Sequence, residues 1–378
     1  MNCNIKVLSP VHIGSGEKYT ASEYVKSKAK TKKGNVLNII KRMDVSNYFL
    51  DLDDDKKDEF LRDLSSPEFN LKSFDSKIPN TYMKYRAINK SKNDIAPSQE
   101  ISEAIKTLNQ LYIPGSSIKG AIKSAILYYA LDDDMVYDIS RDVIRNGGRV
   151  DNRSYTKFMN KIFTSNRAPT PAQGDIMKFL QVSDTDTIKS PTVYDVATVM
   201  AGFRHGSNEF YTRNKRSREP TLSFLETIAR GNNLSFEINN NYDYDIFKKL
   251  GLEDKKHLID LENIKKSMFV FSRSLINYEL EFAEDYDINY LYKFYSTLEK
   301  YNSMETPLLK IGAGSGFLST TVGLKIKKYD EEYGEELFDK IRNGTRGKTY
   351  DYEFPKSRKI TQVGGMPLGW VQFSFNGE

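Results

Sequence analysis

The stretch YIPGSSIKGAIKSAI, residues 112–126, changes period midway, and its reading decides the architecture. Leu111-Tyr112-Ile113 reads as the end of a strand and Pro114-Gly115 as a turn. Ser116 stands where an N-cap is expected, ahead of Ile118, Ile122, Ala125, Ile126 and Tyr129 on one helical face. Working outward towards the N-terminus, residues 3–8 and 22–41 alternate apolar with polar around Lys33-Gly34-Asn35, which predicts a first strand and a long hairpin. Residues 44–65 read as helical and acidic, and 66–97, with Pro67, Pro79 and Pro97, as irregular. Towards the C-terminus, Pro169 and Pro171 mark a linker, followed by strand-like runs at 178–185, 191–201, 220–227 and 233–238. Leu258, Leu261, Ile264, Met268, Phe271, Leu275 and Tyr278 then recur at three- and four-residue spacing, which predicts a long amphipathic helix from Lys255 to about Tyr286. A second helix follows over 287–301, a strand ends at Ile311, and the strand Trp370 to Phe375 closes the chain. The mixture predicts an α+β fold in two domains: 1–170 with an inserted region at about 45–97, and 171–378 with a helical insertion at about 255–303.

Composition narrows the function. The 378 residues are 39% hydrophobic and 28% charged, with no run of eighteen apolar residues, which argues against a membrane span and against wholesale disorder. The N-terminus reads as a strand, without the basic and apolar regions of a secretion signal, so the cytoplasm is the expected compartment. One cysteine, Cys3, excludes an internal disulfide, and three scattered histidines cannot complete a Cys/His zinc site, so no metal or other cofactor is expected. The 56 basic and 51 acidic residues leave a formal charge of +5, which permits a polyanionic partner without demanding one. Acid collects at Asp51, Asp53 to Asp55 and Asp132 to Asp134; base collects at Lys26 to Lys33, Arg204 to Arg218 and Arg342 to Lys359.

Glycine-rich turns recur beside the strand-like runs: His12-Ile13-Gly14-Ser15-Gly16, Pro114-Gly115-Ser116-Ser117, Gly312 to Gly316, and Gly364 to Gly369. Glycine permits positive φ and close approach to backbone amides, and a helix N-terminus adds partial positive charge, so phosphate is a natural ligand; the same glycines can also simply end strands. Gly115 and Gly120 have the spacing of a phosphate-binding ATPase loop, but Ala121-Ile122 replaces its Lys-Ser/Thr, and Phe317 stands where a dinucleotide fingerprint needs its third glycine. Both enzyme classes are set aside. Lys119 and Lys123 lie one turn apart beside the Ser116 turn, either flanking an anion or on a solvated face. Lys26, Lys28, Lys30 and Lys32 would form a stripe on one face of a strand, read first as protection of a sheet edge and second as a track for a sugar-phosphate backbone. Around Arg204, Phe210 and Tyr211 interleave with Arg213, Lys215, Arg216 and Arg218, a composition suited to base stacking beside phosphate. His12 is the attractive candidate for acid–base work on RNA, but neither His205 nor His257 is tied to it by a motif, and such catalysis needs a partner within reach. The acidic groups read as helix-end carboxylates before they read as Mg²⁺ ligands.

The motifs SPVHIGSG (9–16), YIPGSSIKGAIKSAI (112–126), LQVSDT (180–185), GAGSGF (312–317) and GGMPLGW (364–370) together resemble the RAMP superfamily of CRISPR proteins, and within it the fifth subunits of the type III-A Csm complex. The second motif is the most specific; residues 45–97 match nothing in the family. The resemblance implies tandem RRM-like (ferredoxin-like) domains and a non-catalytic subunit that caps the backbone filament at the 3′ portion of the CRISPR RNA. It also implies a part in maturing that 3′ end and in antiviral defence. It implies as partners the CRISPR RNA, the repeated backbone RAMP subunit and other Csm subunits, and suggests target RNA and host ribonucleases. Carried over by position, the RNA contacts are His12, Gly14, Ser15, Gly16, Ser116, Ser117, Lys119, Lys123, Gly364 and Gly365, with Arg204 added from the basic stretch. Because some relatives cleave RNA, a metal-independent endoribonuclease processing CRISPR RNA with His12 as acid or base is the competing expectation.

Overall fold

The structure, a computed structural model, describes residues 1–145, 159–204, 207–212, 222–240, 242–346, 354–355 and 357–375, without the side chains of 143–145, 200–204, 207–212 and 343–346. Its strands are β1 (Asn2–Val7), β2 (Gly14–Tyr19), β3 (Tyr24–Lys30), β4 (Val36–Met43), β5 (Met83–Asn89), β6 (Ile101–Ala104), β7 (Lys106–Thr107), β8 (Gln110–Leu111), β9 (Gln181–Val182), β10 (Thr192–Arg204), β11 (Ser207–Thr212), β12 (Leu222–Thr227), β13 (Asn233–Asn239), β14 (Leu308–Lys310), β15 (Ser357–Thr361) and β16 (Trp370–Phe375). They form a five-stranded antiparallel sheet ordered β14-β16-β1-β13-β9, a nine-stranded sheet, and the small β7–β8 hairpin.

In the five-stranded sheet, the alternation of Cys3, Ile5 and Val7 meets that of Leu234, Phe236 and Ile238, so one face of each strand is fully buried. Against this core pack the Gly115–Ala130 helix, through Ile118, Ile122, Ala125 and Ile126, and the Leu261–Asp285 helix, through Ile264, Met268, Phe271, Leu275 and Phe282. Each such fully buried aliphatic side chain contributes about 1.5–3 kcal/mol. The two helices touch one another, with Tyr128 and Phe271 rings 5.1 Å apart; Tyr128, not the expected Tyr129, is the buried member of the pair. In chain order these elements run β1, helix, β9, β13, helix, β14, with β16 wedged between β1 and β14. Both large sheets therefore draw strands from either side of residue 170.

The nine-stranded sheet runs β2-β6-β12-β10-β5-β4-β3, and β10 is long enough to pair β12 and then β11 on one side and β5 and then β15 on the other. Residues 45–82 add helices Val45–Leu50, Asp54–Leu64 and Leu71–Phe74 with a small aromatic core of their own around Tyr48, Phe60 and Leu71. Three local expectations need correction. Residues 83–89 are not irregular: Tyr85 and Ala87 are buried and the segment is a strand inside the large sheet, because the prolines flank it instead of interrupting it. The long helix starts at Leu261, since 253–259 form a 3₁₀ helix. Ser116 caps nothing; the helix starts at Gly115, and its N-cap is Pro114 without a side-chain bond. No helix among the described residues is long and apolar enough to cross a membrane.

Candidate nucleic-acid interface

Turns far apart in sequence meet at the ends of β1, β14 and β16. Ala313 N–H donates to the His12 carbonyl (2.8 Å), Gly369 N–H to the Pro10 carbonyl (2.9 Å), Ile311 N–H to the Gly369 carbonyl (2.8 Å) and Trp370 N–H to Ser9 Oγ (3.0 Å). The 9–16, 312–316 and 367–370 segments are thus stitched together by their own backbone. The short Phe317–Thr320 helix that follows Gly316 then touches the Gly115–Ala130 helix.

Within this cluster the predicted residues divide. His12 is only 6% exposed; its Nδ1–H donates to the Glu226 carbonyl (2.6 Å), and burial lowers its pKa, so the imidazole is neutral at pH 7. It shapes the turn from inside. Gly14, Ser15 and Gly16 are exposed, but they belong to β2, the bulged edge strand of the large sheet, and not to a free loop; Ser15 Oγ donates to the Glu103 carbonyl (3.2 Å).

At the start of the Gly115–Ala130 helix, the Gly115 amide donates to Asp184 Oδ1 (2.8 Å), and Thr185 joins Ile113 through both its amide and its hydroxyl. A Cβ on Gly115 would lie 2.1 Å from the Val182 carbonyl oxygen, so only glycine lets the helix approach this strand. A carboxylate thus occupies part of the helix N-terminus that a phosphate would use. Ser116 stays exposed and Ser117 half-exposed. Lys123 pairs with Asp175 (3.0 Å) and lies over the Phe163 ring, whereas Lys119 is half-buried with its pKa lowered first by desolvation and then by Lys123, against Asp175. Of the two lysines, Lys119 is the one without an ion pair among the described residues.

Gly364 is exposed and Gly365 half-buried, at a turn facing Tyr290 and not the His12 cluster. Arg204 ends β10 opposite Ser207; its side chain, His205 and 213–218 lie outside the described residues. Lys26 is held by Asp94 (2.7 Å) on β3, the strand at the far edge of the large sheet, in keeping with the edge reading of that stripe. Asp53 and Asp132 accept the amides of Lys56 and Met135 at helix starts, and Asp133 accepts the Tyr333 hydroxyl.

What the sequence did not reveal is a buried acid beneath the His12 turn. Glu226 is fully buried and accepts hydrogen bonds from Tyr19 Oη (2.7 Å), Tyr85 Oη (2.8 Å), Ala104 N–H (3.1 Å) and Lys106 Nζ. Burial and the Glu226 charge both push the two phenols far above their ordinary pKa, so they stay neutral donors. Asp184 had a signal, its place in LQVSDT; Glu226 had none, since one acid at a strand end reads as solvated.

Comparison with known proteins now places the chain. The family described as the RAMP superfamily matches residues 4–319. The CRISPR-system protein Csm5 of Methanocaldococcus jannaschii is 22% identical over 410 residues, covering 99% of this chain and 88% of that protein. A chain in the cryo-EM structure of a Csm–crRNA–target RNA ternary complex of a type III-A CRISPR-Cas system superposes with a TM-score of 0.69 at 24% identity, covering 99% of this chain and 100% of that one. The crystal structure of T. onnurineus Csm5 gives 0.60 at 22% identity, covering 97% and 99%. At these identities the structural likeness establishes the fold.

Proposed function

The chain belongs to the RAMP superfamily, and from that premise we propose that it is a non-catalytic, single-stranded-RNA-binding subunit of a type III-A, Csm-type CRISPR effector complex. In this role it contacts the CRISPR RNA, target RNA, the repeated backbone RAMP subunit and other Csm subunits. It caps the backbone filament at the 3′ portion of the guide and supports 3′-end maturation, with host ribonucleases as partners in that step. The tandem RRM-like reading, with a boundary near residue 170, belongs to the same proposal: the β-α-β-β-α-β order within the five-stranded sheet supports one such unit, and because that unit draws strands from both sides of residue 170, the boundary would divide the chain and not two separate cores.

One observation carries the RNA reading: the 9–16, 312–316 and 367–370 turns converge through backbone hydrogen bonds and leave Gly14 to Gly16 exposed, and the short helix after Gly316 touches the helix that carries Ser116 and Lys119. Exposed amides, hydroxyls and a cation suit a phosphodiester backbone and read no bases. The rival endoribonuclease would use His12. Its neutral ring could accept a proton, but its Nδ1 is committed to a backbone carbonyl, and Tyr19, Tyr85 and Lys106 all point to Glu226, where they hold a buried carboxylate and not a leaving oxygen.

Binding of a labelled single-stranded RNA to the full chain, measured across salt, tests the proposal. The log of the binding constant falls with log salt by about 0.7 per neutralised phosphate, and Lys119→Ala removes about 0.7 from the slope. An unchanged slope would take Lys119 out of the site. RNA cleavage by the purified chain that His12→Ala abolishes would establish the endoribonuclease instead.

A further inference from the structure

Beside the Gly364 turn opens a cleft of about 690 Å³, walled by the Asn289–Tyr301 helix, the turn between β12 and β13, and the end of β5. Its volume lies in the range of sites for ligands of nucleotide size. Three cations, Lys90, Arg230 and Lys293, line it, all of them exposed, and no aspartate or glutamate does so among the described residues. In a chain with 51 acids to 56 bases, every charged residue of this wall is a cation. Between the cations stand rings: Tyr290 and Tyr301, 42% and 45% exposed, and Phe294, whose ring is fixed edge-on against the buried Tyr295 (5.3 Å, 82°).

The Gly364-Gly365 turn supports one of these rings. A Cβ on Gly365 would lie 2.8 Å from the Tyr290 ring, so the absence of a side chain lets the turn back directly onto it and hold it as a flat, half-open platform. Cations with no competing acid attract phosphate; a buttressed open ring stacks on any base. A duplex offers its bases stacked and paired, with no free face for Tyr290, whereas a single strand offers one at each nucleotide.

We propose that this cleft takes an unstacked nucleotide of single-stranded RNA, its base on Tyr290 and its phosphates between Arg230 and Lys293, at a point on the RNA path separate from the His12 turn. This rests on the RNA-binding reading above and adds where one nucleotide leaves the stack and that its identity does not matter.

The test uses the full chain, a labelled ten-nucleotide oligouridylate, a blunt RNA duplex of the same length, and uridine monophosphate as competitor. The wild type binds the single strand. The Arg230→Ala/Lys293→Ala double variant lowers the salt slope by about 1.4, two phosphates' worth. Tyr290→Ala weakens binding at least about fivefold, the loss of one stacked base, while Tyr290→Phe stays within about twofold because the ring is kept. Ultraviolet cross-linking places uridine on Tyr290 or Phe294. If the wild type binds RNA but the double variant and Tyr290→Ala bind with unchanged affinity and slope, the cleft is not on the path and the broader function survives. If the wild type binds no RNA, the broader function itself fails. Displacement by the mononucleotide at concentrations similar to the oligonucleotide would make this a free-nucleotide site, and equal binding of the duplex would end the stacking argument; either overturns the inference.

Discussion

Two buried carboxylates, Glu226 on β12 and Glu279 on the Leu261–Asp285 helix, are handled in opposite ways. Glu226 is saturated: two tyrosine hydroxyls, one backbone amide and Lys106 all donate to it. Glu279 accepts from Arg358 Nε (2.7 Å), but a second cation, Lys310, lies buried nearby, and Arg358 Nη2 has no acceptor among the described residues. In the first cluster donors and charge balance; in the second, two cations face one acid and donors are in excess. Balanced clusters fix a fold, because each buried group would be costly without its partner, whereas unbalanced ones hold a charge that the core would be more stable without. The balanced cluster lies under the His12 turn, where geometry has to be held.

The sharpest way to break this comparison is Glu226→Leu. It leaves two phenols, an amide and Lys106 buried without their acceptor, and the expected cost is about 3–5 kcal/mol, read from denaturant unfolding. A loss below about 1 kcal/mol would mean the cluster is not holding this end of the sheet. Two matched lysine substitutions then test sign instead of size. Lys106→Met strips Glu226 of its cation and destabilises the protein. Lys310→Met removes a charge whose pKa burial pushes down to about 8, and stabilises it at pH 7 by about 3 kcal/mol. Loss of stability in both variants would show that Lys310 is not an excess charge in the core.

Lys310 also predicts a pH profile. Its folded pKa lies below the unfolded value of 10.5, so its favourable contribution is present above that value and lost as pH falls through about 8. Between pH 8 and 9.5 the wild type gains about 2 kcal/mol of stability relative to Lys310→Met; the tyrosines with raised pKa oppose the trend equally in both and cancel from the difference. A difference between the two profiles that stays constant there would remove Lys310 from the buried set.

How far the sequence carried follows the same division between local and distant causes. Periodicity located β1, the β3–β4 hairpin, the Gly115–Ala130 and Leu261–Asp285 helices and β16, because each is amphipathic over its own length. It missed β5, where three prolines outweighed the alternation of Tyr85 and Ala87. It placed the Gly115 turn correctly yet gave the cap to Ser116, whereas the partner is Asp184, 69 residues away. No local pattern carries a bond of that separation, nor the Lys123–Asp175 pair, nor the four partners of Glu226. The exposed glycines could be named from sequence; that Gly14 lies in an edge strand and Gly365 behind Tyr290 could not.

The smallest expected effect sits at the seam between the balanced cluster and the surface. His12 shares its Glu226 neighbour with Lys106, but it bonds the backbone carbonyl and not the carboxylate. Desolvation is the largest influence on its pKa and lowers it, outweighing the carbonyl bond and the Glu226 charge, both of which raise it; Lys359 and Lys106 add to the lowering. A depressed histidine contributes stability that is present above its unfolded pKa of about 6.5 and lost as pH falls through the folded value. The wild type therefore loses stability between pH 7 and 5 relative to His12→Asn, which has nothing to protonate there; the difference between the two denaturation profiles isolates this one group. Parallel profiles would place the imidazole in water, and with it the turn that the RNA reading needs to be rigid.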